Sequence, residues 1–147
     1  MKYIYLDVCA LCRSYDDQTY PRIHIETTAV HLILKKVEDG RYGMVYSPVH
    51  KVEISSIKND SEKIDLLLLL DSLGIQCDID KKAARLRAED LLRQGIGVAD
   101  AAHVAFAEAA KADFISCDDK LIKKCSGMLI DVWTGNPAAF CYKEDLK

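Results

Sequence analysis

The sequence predicts an α/β protein, a three-layer α/β/α sandwich with a mostly parallel central sheet. Two observations carry this. Short β-favouring apolar runs alternate with helical patterns along the whole chain. Their spacing leaves room for the long crossovers that parallel strands need, and such sheets are covered by helices on both faces. At 147 residues, half of them hydrophobic, the chain reads as one domain spanning 1–147 with a full core.

The elements follow in order. Tyr3 to Asp7 is short and apolar, a first strand ending on an acid. From Thr19, Pro21 stands where a helix's first turn accepts proline, and Val30, Ile33, Leu34 and Val37 keep helical spacing before Gly40. Gly43 to Tyr46 gives a second strand, and Ser47-Pro48 opens a helix through about Ile57 that carries Glu53. Ser61 is expected to cap the next helix, which runs to Leu73, with Gly74 as a left-handed stop residue. Ile75 to Ile79 reads as a short strand, Asp80 as the cap of a helix ending near Gly95, and Val98 to Lys111 as an alanine-rich helix. Phe114 to Ser116 is a brief strand and Asp118 to Cys125 a short helix. Met128 to Val132 is expected to be the last strand, before an irregular tail through Asn136-Pro137.

Composition narrows the possibilities. The longest apolar run, Leu66 to Leu70, is flanked by Asp65 and Asp71 and falls far short of the roughly 20 residues a membrane-spanning helix needs. The first residues reach an acid in place of a signal-peptide apolar stretch, so a cytoplasmic address with no membrane association is expected. Six cysteines are spread from Cys9 to Cys141 and read as reduced thiols. Cys9-x-x-Cys12 admits a redox pair or half a zinc site, but no second pair completes it. The 20 basic and 23 acidic residues give a net charge of -3, without the basic excess of a general nucleic-acid binder.

Chemistry is read from the acids. In an open parallel sheet, ligands bind at the carboxyl ends of the strands. Asp7 ends one strand there, Asp118 follows another, Asp100 opens a helix, and Glu53 lies less than two turns into the helix after the second strand. Two carboxylates about 4 Å apart repel by roughly 4 kcal/mol at an effective dielectric near 20. A gathered set therefore retains protons or binds a cation. An all-oxygen site suits Mg²⁺ or Mn²⁺, and phosphodiester hydrolysis is the reaction such a site favours. Taken singly, Asp100 and Asp118 are equally read as helix caps and Glu53 as an exposed helix residue.

Four blocks resemble the PIN-domain family: Leu6-Asp7-Val8-Cys9, Ser47-x5-Glu53, Gly97-Val98-Ala99-Asp100-Ala101-Ala102-His103 and Ser116-Cys117-Asp118. The resemblance runs from Tyr3 to about Val132, and Arg13-x-x-Asp16-Asp17 resembles one branch of small prokaryotic PIN proteins. It implies a Mg²⁺- or Mn²⁺-dependent ribonuclease, often dimeric, with Asp7, Glu53, Asp100 and Asp118 as catalytic and metal-binding acids. Many short relatives are similar to toxins of toxin–antitoxin pairs, which implies an antitoxin partner that shields the acids with a basic side chain. Val8 and Cys9 stand where a small hydroxyl or amide residue is frequent in the family.

Ser116 and Asp119 are auxiliary candidates, the first for its hydroxyl beside Asp118, the second as an added acid or a plain cap partner. Arg13, Lys51, Lys120 and Lys123 are candidate RNA contacts, and Tyr15 and Tyr20 candidate stacking residues for single-stranded RNA. His103 reads as a satisfied core residue in preference to a group orienting Asp100, and His24, His31 and His50 form no zinc pattern. Two other functions stay open: a non-catalytic RNA- or protein-binding module with this fold, and a phosphoryl-transfer domain built on Asp7. The second is disfavoured because Cys9 stands where a dehalogenase would have a second aspartate.

Overall fold

The computed structural model describes residues 1–147. Five strands form one all-parallel sheet: β1 (Lys2–Leu6), β2 (Tyr42–Tyr46), β3 (Gly74–Gln76), β4 (Asp113–Ile115) and β5 (Thr134–Gly135), in the order β3-β2-β1-β4-β5. The chain starts at the centre, with Ile4 opposite both Met44 and Asp113. The helices are α1 (Val8–Leu11), α2 (Pro21–Glu38), α3 (Pro48–Ser55), α4 (Asp60–Leu73), α5 (Lys81–Arg93), α6 (Val98–Ala109), α7 (Asp119–Ser126) and α8 (Pro137–Lys143).

The period-two alternation of β1 sorts the helices into two layers. Ile4 and Leu6 enter one core with Ile33 of α2, Ile54 of α3, Leu66 of α4 and Phe140 of α8. Tyr5 points the other way, into a core with Leu91 of α5, Val104 of α6 and Leu121 of α7. Both faces of the sheet are thus covered, the three-layer arrangement expected from the sequence. No helix is long and apolar enough to cross a membrane.

After Asp7 the chain turns at once into α1 and a 3₁₀ turn at Arg13–Tyr15. Four local expectations are corrected. Asn59, not Ser61, caps α4, its side chain accepting from Glu62 N at 3.1 Å. Gly74 is extended (φ -80°, ψ 149°) and begins β3, so it is not a left-handed stop. A Cβ there would lie 2.5 Å from the Leu70 carbonyl oxygen and 2.6 Å from the Tyr46 ring, so close packing of α4 on β2 is what demands glycine.

The last strand is not Met128 to Val132, where Leu129 is 92% exposed. Phe114 N donates to Trp133 O at 2.8 Å and Ser116 N to Gly135 O at 3.0 Å, which puts the pairing three residues later. The tail is also ordered. Asn136 accepts from Ala139 N at 2.7 Å, Pro137 fills the first turn of α8, and Phe140 is buried between Tyr42 and Trp133.

Candidate active site

Because β1, β2 and β4 run parallel, their carboxyl ends share one edge, and the residues that follow them meet there. Asp7 leaves β1 and caps α1: its Oδ1 accepts from Ala10 N at 3.0 Å and from the Cys9 thiol at 3.1 Å. It is only 4% exposed, and burial raises its carboxyl pKa against the opposing hydrogen bonds from Ser116, Cys9 and Ala10. Asp118 follows β4 and caps α7, with Oδ1 accepting from Lys120 N at 3.0 Å and Leu121 N at 3.2 Å. Ser116, fully buried, accepts from Asp118 N at 3.0 Å through its Oγ and so fixes the turn that carries the acid.

Asp100 lies in the first turn of α6, half-buried. Burial raises its pKa first, and the nearby charges of Asp118 and Glu53 add to the rise. Glu53 reaches the same edge from α3. Its Oε1 is hydrogen-bonded to His103 Nε2, and that bond holds its carboxyl pKa below the usual range. Asp7, Glu53, Asp100 and Asp118 together line a polar cleft of about 80 Å³, with Val8, Cys9 and His103. Larger grooves elsewhere are predominantly apolar, such as one of about 290 Å³ between Tyr3, Ile75 and Ala109, and bring no comparable set of acids together.

The cleft presents carboxylate oxygens, one thiol and the His103 imidazole, whose Nε2 is taken up by Glu53. No three cysteine, histidine or acidic side chains stand close enough to enclose an ion by themselves. Mg²⁺ does not require such a cage, since it keeps several waters and takes only one or two carboxylates directly. The donor chemistry therefore fits a hard divalent cation held partly through water. Cys9 contributes its thiol as a donor: burial, then the Asp7 charge, pushes its pKa up.

His103 is buried at 1% exposure, as expected of a core residue, but it also faces the cleft. Its partner is Glu53 and not Asp100, and its Nδ1 lies 2.6 Å from the Tyr5 hydroxyl. His50 is buried behind it. Its Nδ1 accepts from Ser47 N at 3.1 Å, so its Nε2 carries the proton and donates to Leu6 O at 2.6 Å.

Other candidates fall outside the cleft. Asp119 is exposed and ion-paired with Arg22, which lowers its carboxyl pKa, so the auxiliary-acid role does not match its placement. Arg13 is no free phosphate contact: it is committed to Glu26 at 2.8 Å and Asp16 at 2.9 Å. Tyr15 donates to Asp65 at 3.4 Å, while Tyr20 is exposed. Lys51, Lys120 and Lys123 are exposed, Lys51 with its Nζ 5.6 Å from the centre of the Tyr46 ring.

Sequence reasoning missed Glu26, Arg22 and the Tyr5–Ser47 pair. Glu26 is 3% exposed and joins Arg13, Arg22 and, through Arg22, Asp119. The i,i+4 spacing of Arg22 and Glu26 was a visible signal, but nothing local in sequence marks an acid at that place as buried.

The fold is shared with solved structures. VapBC2 from Rickettsia felis, in a complex with a DNA fragment from its promoter, matches with a TM-score of 0.58 at 17% identity, covering 92% of this chain and 98% of that one. FitAB bound to an IR36 DNA fragment gives 0.56 at 19% identity, over 92% and 95%. FitAcB from Neisseria gonorrhoeae gives 0.54 at 17%, over 91% and 97%. No family model matches the chain, and no curated protein sequence does. At these identities the likeness is one of fold.

Proposed function

We propose that this chain is a PIN-type endoribonuclease of the cytoplasm that uses Mg²⁺ or Mn²⁺ to hydrolyse RNA phosphodiesters, acting as the toxin of a toxin–antitoxin pair. The observation that carries the reading is the convergence of Asp7, Glu53, Asp100 and Asp118, from four separate segments, on one small cleft. Burial raises the pKa of Asp7, and burial with repulsion from Asp118 and Glu53 raises that of Asp100, the electrostatic position that a bound cation relieves.

The four acids would hold the ion directly or through its waters. A divalent cation there supplies charge neutralisation at the scissile phosphate and a more acidic water. The chain supplies the geometry. Backbone N–H groups fix Oδ1 of Asp7 and Oδ1 of Asp118, while Asp100 carries no hydrogen bond that competes for its carboxylate. Lys51, Lys120 and Lys123, all exposed, would supply the contacts to the RNA backbone.

Solved neighbours that sit on DNA as multi-component assemblies support a protein partner for this chain. An antitoxin would place a basic side chain among the acids, and a homodimer is the expected assembly of the toxin.

The test is cleavage of an unstructured RNA with Mn²⁺ by the wild type and by Asp100→Asn. The variant is expected to lose more than the roughly 10–100-fold that outer partners of a metal site cost. Equal cleavage by both would remove the site assignment. Cleavage by neither moves weight to a second reading, a binding module without catalysis. That reading draws on Cys9, whose thiol occupies an oxygen of Asp7.

A further inference from the structure

We infer that Ser47, Tyr5 and His103 form a buried hydrogen-bonded chain whose task is to hold the Glu53 carboxylate in place, which makes His103 and Tyr5 positioning residues of the cleft. This deepens the function proposed above and rests on it.

With a neutral His103 ring the chain has one order of donors. A carboxylate only accepts, so the His103 Nε2–H donates to Glu53 Oε1. In the neutral imidazole Nδ1 then accepts, from the Tyr5 hydroxyl at 2.6 Å. The Tyr5 oxygen in turn accepts from Ser47 Oγ at 2.7 Å. Ser47 closes the sequence beside the first turn of α3, the helix that carries Glu53, so the relay leaves that helix and returns to it.

Packing alone does not explain these residues. Tyr5 is completely buried in a core whose other members are apolar, next to Phe114 at 5.9 Å between ring centres. A phenylalanine would fill the same space without a hydroxyl to satisfy, and a buried hydroxyl is costly unless it is bonded. His103 is the one polar side chain among the buried residues of α6, and its ring is spent on Tyr5 and Glu53. His50, fixed by its own two hydrogen bonds, stands edge-on to His103 at 5.0 Å between ring centres and limits its rotation.

The one member that reaches solvent is Glu53, with 36% of its side chain exposed. A glutamate so placed would otherwise sample many rotamers. The bond through Oε1 restrains it and leaves Oε2 without a hydrogen-bond partner in the protein, on a residue that lines the cleft.

The experiment measures Mn²⁺ affinity by titration calorimetry for the wild type, His103→Leu, His103→Gln, Tyr5→Phe, and His103→Leu in a Glu53→Gln background, with thermal melting run alongside. His103→Leu is expected to weaken Mn²⁺ binding by roughly 10–100-fold, the effect of losing an outer partner. Tyr5→Phe, nearly isosteric and therefore informative even if His103→Leu fails to fold, is expected to lose about tenfold at unchanged KM for RNA and lowered kcat. His103→Gln, which keeps an N–H donor for Glu53, should recover most of the loss. In the Glu53→Gln background, His103→Leu should add nothing. Wild-type Mn²⁺ affinity in folded His103→Leu and Tyr5→Phe, or an undiminished loss when Glu53 is already neutral, overturns this inference alone. A wild type that takes up no Mn²⁺ overturns it together with the proposed function.

Discussion

His50 shows how one buried side chain can set a pH response. Both ring nitrogens are committed, and burial, reinforced by His103, lowers its pKa from 6.5 to about 4. In the unfolded chain the imidazole takes a proton near pH 6.5, while in the folded one it stays neutral down to about pH 4. Protons therefore bind the unfolded state preferentially, and stability falls as pH drops through that window, by an amount on the order of 3 kcal/mol. Asp7 and Asp100, whose pKa values are raised, act with the opposite sign, since the folded state takes up their protons first. Urea unfolding at pH 7 and pH 4.5 on the wild type and His50→Leu separates the terms. The variant is less stable at pH 7, and the gap to wild type narrows on acidification. A gap that stays constant would remove the neutral-histidine assignment.

At the scale of elements, Glu26 ties α2 to the 3₁₀ turn through Arg13 and, by way of Arg22, to the start of α7. Removing one partner of a buried ion pair leaves the other uncompensated. Arg13 keeps Asp16, so Glu26→Ala is expected to cost about 2–3 kcal/mol in urea unfolding, below the full range for such losses. Arg22→Ala removes an exposed pair with Asp119 and a longer 3.6 Å contact to Glu26, whose carboxylate keeps Arg13, and should cost within about 1 kcal/mol. The long helices and the first two strands were legible in sequence because their apolar periodicity is set locally. So were the four acids, because parallel strands send their ends to one edge. The end of the chain was not. Ser47-Pro48 was read as a helix start, and Asn136-Pro137 carries the same signature ahead of α8, but the two-residue β5 leaves no alternating pattern to place it. The Tyr5–His103 contact escaped for another reason: its residues lie 98 positions apart and only the folded sheet joins them, whereas for Glu26 the Arg22 spacing was visible and the burial was not.

For the whole molecule, α8 closes the layer that α2 begins. Phe140 is completely buried against Tyr42 and Trp133, and Lys2 and Tyr42 meet Glu144 at 3.2 Å and 3.0 Å. Phe140→Ala should lower stability by about 3–5 kcal/mol in chemical denaturation. It should leave Mn²⁺ affinity unchanged wherever the protein stays folded, because the cleft opens at the other end of the strands. A loss of affinity in the folded variant would show that the two ends are coupled. That all five strands point the same way has one more effect. α3 and α7 begin where β2 and β4 end, and α6 begins two residues before Asp100, so the positive poles of their peptide dipoles, each worth roughly half an elementary charge, lie near the acids. Asp100 and Asp118 sit in the first turn and at the cap of two of them. Those poles offset only part of the negative charge that the four acids gather at this rim, so a phosphodiester arriving there still depends on a counterion to complete the balance.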